Sequence, residues 1–179
     1  MKNILAIGLL ISILIISACS DDGTLPPTNP YTIYDSEPLT QFEHNPQAYS
    51  FPTLTNFPTP IIPADNPMTL EGIELGRRLF YDPILSGDST MSCESCHKQE
   101  LSFSDNKKFS VGIDGQLGPR NASPLINLAF IPNGLNWDGS SPNLEEQAII
   151  PITSEVELHA NLEDIELRLK RHNLYPEWF

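Results

Sequence analysis

The sequence predicts an all-α domain whose short helices are joined by long loops. Helical spacing of apolar residues, opened by capping side chains, recurs at 69–81, 123–130, 141–149 and 162–172, and no strand pattern rivals it. Between the first two of these helices lies a polar connection, 98–121, with Gly112, Gly115, Gly118 and Pro119 and no helical period. A loop that long inside a compact domain is usually functional. The third observation is the run Cys93-Glu94-Ser95-Cys96-His97, which reads Cys-x-x-Cys-His.

On one helical turn Cys93 and Cys96 lie three residues apart on the same face. Two thiols so placed can form thioethers with the vinyl groups of one porphyrin, and the pattern is the attachment signature of c-type haem. His97 follows at once, so its imidazole can ligate the iron. Ser92 is the expected N-cap of this short helix. The competing readings are a Cys93–Cys96 disulfide, a thioredoxin-like redox pair or part of a zinc site. Zinc needs about four ligands, and the redox pair expects a βαβ context that is not visible. The expected fold class is therefore all-α, a c-type cytochrome-like helical domain with long loops around one covalent haem c.

Residues 1–18 read as a targeting segment. Lys2 supplies the positive start, and the apolar run Ile4 to Ile16 is too short to span a bilayer comfortably. It ends in Ile16-Ser17-Ala18-Cys19, which resembles a bacterial lipobox. Cys19 would then become the acylated first residue, and more than one acyl chain anchors stably to a membrane. The alternative is ordinary secretory cleavage that leaves Cys19 a free thiol. Either way the protein is exported, as a periplasmic or cell-envelope lipoprotein in the first case. The three cysteines resolve as one lipid site and one haem pair, without a disulfide framework. A formal charge of −13 argues against nucleic acid as a partner. It fits a body tethered to a membrane, an encounter surface for a basic partner, or simple solubility.

The prolines from Pro26 to Pro67 exclude long helices. Residues 19–47 read as a flexible tether and 48–67 as an extended arm, whose Tyr49, Phe51, Leu54, Phe57, Ile61 and Ile62 can lie on a folded body. The domain, 68–179, opens with Thr69 capping a helix to about Tyr81 that Asp82-Pro83 ends. Ser86-Gly87-Asp88 marks a turn into the haem motif. Ser123-Pro124 should open a helix carrying Leu125, Ile126, Leu128, Ala129 and Phe130, and Ser141-Pro142 another to about Ile149. Asn161 caps a last helix, 162–172, whose acidic first turn and basic last turn complement its dipole.

Several motifs now stand in order: Leu75-Gly76-Arg77-Arg78-Leu79-Phe80-Tyr81-Asp82, Leu85-Ser86-Gly87-Asp88, Cys93 to His97, Phe103-Ser104-Asp105, Gly118-Pro119-Arg120-Asn121, Asn136-Trp137-Asp138-Gly139, Leu144-Glu145-Glu146-Gln147-Ala148, and Pro151 with Val156-Glu157. Together, residues 75–158 resemble the N-terminal haem domain of bacterial dihaem cytochrome c peroxidases, a group that includes MauG-like enzymes. The resemblance implies a haem-dependent peroxidase. It would reduce hydrogen peroxide with electrons from a small donor, a cytochrome or cupredoxin, fed through a second, C-terminal haem. It makes His97 the proximal iron ligand and Glu157 the distal carboxylate that moves protons. Gln147 becomes a polar partner in the same pocket, Trp137 the indole between two haems, and Asn121 a ligand of an interdomain calcium. Each also has a plain reading. Glu157 and Gln147 could be solvated, Trp137 could be core, and Asn121 could only shape its loop. One carbonyl is not a calcium site.

Two departures stand out. Ser140 occupies the place after Trp-Asp-Gly where the family often has Arg. No second Cys-x-x-Cys-His and no C-terminal domain follow, which reads as a truncated chain. Activating members of the family carry a distal His in the loop before Gly-Pro-Arg-Asn. Residues 98–117 hold neither His nor Met, and Ile113 stands at the aligned place. An isoleucine has no lone pair, so an open iron position is expected. The alternatives are an electron-carrier cytochrome, with Met68, His44, His159 or His172 as a sixth ligand, a MauG-like oxidation of another protein, and a lipoprotein without haem. Met91 is too close to Cys93 to serve.

Overall fold

The structure is a computed structural model and describes residues 45–179. The expected leader, Cys19, His44 and nearly all of the tether lie outside the described residues. Among the described residues there are three α-helices, single 3-10 turns, isolated bridges and no strand. None of these helices is long and apolar enough to cross a membrane.

Helix α1, Leu70–Tyr81, starts where the Thr69 hydroxyl accepts from the Gly72 amide at 3.0 Å. It stops at Asp82, whose carboxylate accepts from the Ile84 amide at 2.8 Å and starts the turn Pro83–Leu85. The apolar face is only half-buried, and the buried residue of α1 is Glu74, 6% exposed. Its carboxylate meets Arg78 Nε at 2.6 Å and Arg77 Nη1 at 3.8 Å. A buried carboxylate is costly unless paired in this way.

The helix expected from Ser123-Pro124 does not form; one turn, Leu128–Phe130, stands there. Asn127 takes a left-handed φ of 59°, which breaks the helical run, and the Ala129 carbonyl is used by the Ile61 amide at 3.0 Å. Helix α2 is Leu144–Thr153, later at both ends than expected. Asn143, not Ser141, caps it by accepting from the Glu146 amide at 2.8 Å. Ser141 is instead buried in a bridge, its carbonyl accepting from Leu135 at 2.6 Å. Helix α3, Leu162–Arg171, follows the Asn161 cap as expected, with Ile165 buried.

The centre of the fold is small. Apart from Tyr175, the buried apolar residues are Ile113, Ala122, Leu135, Leu158, Ala160 and Ile165. Polar ties add to them. Tyr175 donates its hydroxyl proton to Asp82 Oδ2 at 2.6 Å, fastening the last turn to the end of α1. Arg168 Nη1 donates to the Ser86 carbonyl at 2.6 Å and to Ser89 Oγ at 3.0 Å, fastening α3 to the turn before the haem motif. Gly87 is required there, because a Cβ would stand 2.3 Å from the His159 carbonyl oxygen. The arm 48–67 attaches chiefly through backbone bonds, Tyr49 N–H to Met68 and Ile61 N–H to Ala129. Phe57 meets the Phe130 ring at 5.0 Å, yet Phe51, Leu54, Phe57, Ile61 and Ile62 stay exposed.

Candidate functional site

The motif Cys93 to His97 forms a single 3-10 turn rather than an α-helix. Ser95 sets it by donating its amide to the Ser92 carbonyl and accepting from the Ser92 amide at its hydroxyl, both at 3.1 Å. The amides of Cys96 and His97 both reach the Cys93 carbonyl, at 3.2 and 2.9 Å. In such a turn residues three apart are eclipsed, so both thiols project to one side. They are free and half-buried. Burial pushes both thiols up from their ordinary pKa; for Cys96 the carboxylates of Asp105 and Glu157 add to it. Glu157 thus lies within electrostatic reach of the motif, across 61 residues of chain counted from position 96 to 157.

His97 Nδ1 stands 2.8 Å from the Phe103 carbonyl oxygen. A carbonyl only accepts, so Nδ1 carries the proton and Nε2 keeps the lone pair. The carbonyl is presented by a curl in which Ser102 and Phe103 both have φ of 58° and Lys98 bridges to Ser104. This backbone orienter is characteristic of metal-binding histidines. The sequence motif Phe103-Ser104-Asp105 marked the place without revealing the role, because a carbonyl has no residue identity.

The polar loop folds against Glu157. Val111 bridges to Leu117, and the Ile113 amide donates to the Glu157 carbonyl at 2.8 Å. Gly112 is pressed so close that a Cβ would lie 2.0 Å from the Val156 carbonyl oxygen. Ile113 itself is 4% exposed. Cys96 Sγ lies 3.8 Å from the Val111 carbonyl oxygen, so the loop also borders the thiols.

Gln147, on the first turns of α2, accepts at Oε1 from Asn136 Nδ2 at 2.9 Å. Trp137 follows Asn136 and is 88% exposed. Ser140 donates its amide to Asp138 and accepts from Asn136 at its hydroxyl. The Ser140 bonds, with Arg120 adding, hold the Asp138 carboxyl below its usual range, so the Gly118–Asn121 segment lies near the Trp137 loop. Asn121 is exposed, its amide 3.4 Å from the Ala122 carbonyl. Among the described residues no group of three or more His, Cys, Asp or Glu is placed to hold a metal ion. Two of the candidate sixth ligands, His159 and His172, have the following surroundings. His159 lines a polar cavity of about 370 Å³ with Glu155, Asp164 and Arg168. His172 accepts from the Leu174 amide and packs on Tyr175.

These residues fit a covalent haem. The two thiols share a side, the imidazole has an oriented lone pair, and the exposed Leu117 belongs to the loop that borders Cys96.

The sequence profile of the family described as di-haem cytochrome c peroxidase matches residues 70–179. The methylamine utilization protein MauG of Methylorubrum extorquens is 39% identical over 108 residues, 60% of this chain and 30% of its own. The cytochrome c peroxidase Ccp of Escherichia coli is 34% identical over 137 residues, 72% of this chain and 29% of its own. Among solved structures, a MauG-like protein associated with microbial copper homeostasis superposes with a TM-score of 0.67 at 36% identity, covering 74% of this chain and 39% of that one. The chain spans about 30% of the length of these curated relatives. The helical, c-type cytochrome-like fold class agrees with these relatives.

Proposed function

The chain belongs to the di-haem cytochrome c peroxidase family, and from that premise we propose that residues 68–179 are a peroxidatic haem domain. It reduces hydrogen peroxide to water with electrons from a small redox donor, a cytochrome or cupredoxin. The observation that carries this reading is the pinning of the 111–117 loop to Glu157 beside the haem motif. The loop sets the apolar Ile113 against the backbone of Glu157, and residues 98–117 hold no His or Met to close an iron position.

Cys93 and Cys96 would hold the haem, which would supply the iron chemistry that reduces the oxygen–oxygen bond. His97 would ligate the iron through Nε2, its ring oriented by the Phe103 carbonyl on Nδ1. Glu157 takes a proton from one peroxide oxygen and returns it to the departing one, a general acid–base role. One peroxide, two electrons and two protons give two waters. Gln147 supplies a polar contact in the same pocket. Trp137, whose indole is exposed, passes electrons toward a second haem, and Asn121 supplies one oxygen toward a calcium shared with another domain. Export and anchoring at Cys19 put the domain in the periplasm or cell envelope, where peroxide and small donors meet it.

The test uses the haem-loaded full chain. Glu157→Gln should slow the peroxide-driven change of the ferric haem spectrum by about 100-fold or more, with the resting spectrum unaltered. An unchanged rate refutes the role of Glu157. Electron paramagnetic resonance of the oxidised protein should show high-spin or water-bound iron. A wholly low-spin His/Met or His/His signal would defeat the peroxidase reading in favour of an electron carrier.

A further inference from the structure

Tyr81 is the last residue of α1 and is 42% exposed. Its hydroxyl donates to Gln99 Oε1 at 3.4 Å, two residues past His97. Its ring meets Phe80 edge to face, 5.2 Å between centroids, and Phe80 meets Phe103 edge to face at 6.0 Å. Phe103 is the residue whose carbonyl oxygen stands 2.8 Å from His97 Nδ1. Helix α1 itself packs on the Cys93–Ser95 turn. A run of three rings therefore leads from the orienting partner of His97 to the solvent.

Edge-to-face pairs are an ordinary way to fill a core, but this run is not in one. Phe80 and Phe103 are half-buried and Tyr81 is open. A phenylalanine ring is too hard to oxidise to hold a charge itself. Packed rings do shorten the gaps across which an electron tunnels. A phenol gives up an electron far more readily, because it sheds its hydroxyl proton at the same time, and at an exposed hydroxyl that proton goes to water. Tyr175 is the opposite case, 3% exposed with its hydroxyl held by Asp82. Tyr49 pairs with Phe51 on the arm.

We propose that Tyr81 is a redox-active tyrosine that passes electrons singly from the protein surface to the haem on its His97 side, across Phe80 and Phe103. The proposal rests on the haem-site reading above. Hydrogen peroxide withdraws two electrons from the haem domain as it is reduced to water. Tyr81 returns one electron to the haem and releases its hydroxyl proton to water. A small reductant in solution then gives the phenoxyl an electron, and the hydroxyl takes a proton back. Without a reductant, the radicals of two chains join by a carbon–carbon bond between their rings. The balance is then one peroxide and two tyrosines giving one dityrosine and two waters.

The experiment treats the haem-loaded full chain with hydrogen peroxide and no reductant. Haem absorbance and dityrosine fluorescence are followed in time, and peptide mapping locates the cross-link. Wild type should form a dityrosine at Tyr81. In Tyr81→Phe that cross-link should be lost, and the peroxide-altered haem spectrum should persist several-fold longer. Phe80→Leu and Phe103→Leu leave Tyr81 in place, and the second keeps the backbone carbonyl on His97. Both should lower the cross-link and slow the return of the haem spectrum. Haem staining and thermal melts verify that each variant is loaded and folded. No cross-link at Tyr81, or an unchanged return of the spectrum in Tyr81→Phe, overturns the proposal while the peroxidase reading stands. Wild-type cross-linking and return in both phenylalanine variants overturn it as well. A wild-type haem spectrum that does not respond to peroxide overturns both readings together.

Discussion

Replacing Asp105 by Asn tests the anchor of the loop that faces the haem. Asp105 is 6% exposed. Its Oδ2 accepts from Ser110 Oγ at 2.6 Å and its Oδ1 from the Lys107 amide at 3.1 Å. Burial alone would push its pKa up, but the bonds from Ser110, Lys107 and the Ala122 amide outweigh it and hold the carboxyl below its usual range. Ser104 Oγ donates to the Ala122 carbonyl at 2.7 Å, so this one carboxylate and its neighbour tie both ends of the loop bearing Ile113. In Asp105→Asn the shape survives and the charge is lost. Hydrogen bonds to a charged group contribute about 1.5–3 kcal/mol and neutral ones about 0.5–1.5. One bond must also be reversed, because an amide nitrogen cannot accept. The variant should lose about 2–3 kcal/mol at neutral pH, a fall in Tm of roughly 6–12 °C for a domain of this size. The pH dependence has a definite sign. A carboxyl whose folded pKa is depressed contributes stability above its unfolded pKa of about 3.9, and that stability is lost as pH falls through the folded value. The gap between wild type and variant should therefore be full at pH 7 and narrow below about pH 4. Thermal melts of the haem-loaded chain, followed by circular dichroism and haem absorbance across that range, measure both. Equal melting temperatures at pH 7, or a gap that does not change with pH, would refute the assignment of Asp105 as a charged anchor.

Gly112→Ala would place a Cβ 2.0 Å from the Val156 carbonyl oxygen and 2.7 Å from Glu157 Cα. It should cost about 1–3 kcal/mol by overpacking and slow the peroxide reaction, with haem still attached on a denaturing gel; an unaltered rate would show that the loop does not set the position of Glu157. Cys19→Ser should move the exported protein from the membrane fraction to the soluble one, since the acylated residue is the expected anchor; unchanged membrane partition in fractionated cells would count against acylation.

What the sequence determined by itself was whatever depends on neighbours along the chain. Thr69 and Asn161 announce α1 and α3 because a cap bonds amides two or three residues away. Cys93, Cys96 and His97 are legible as a haem motif because one turn holds all three, and the turn's being 3-10 rather than α leaves the thiols on one side. The same local logic failed at Ser123-Pro124, where Asn127 leaves the helical region and the Ala129 carbonyl is taken by a residue 68 positions earlier. It failed at Ser141, whose backbone closes a bridge to Leu135 and leaves the cap to Asn143. The Glu74–Arg78 pair is local, four residues apart on one helix, but that Glu74 rather than an apolar neighbour is the buried residue of α1 was decided by the packing of the folded chain around it. Tertiary structure also decided which nitrogen of His97 is free and that the Ile113 amide meets the Glu157 carbonyl. In both of these last cases the partner is a backbone carbonyl brought close by loop closure. Backbone groups are chemically alike in every residue, so only the path of the chain selects which of them a side chain meets.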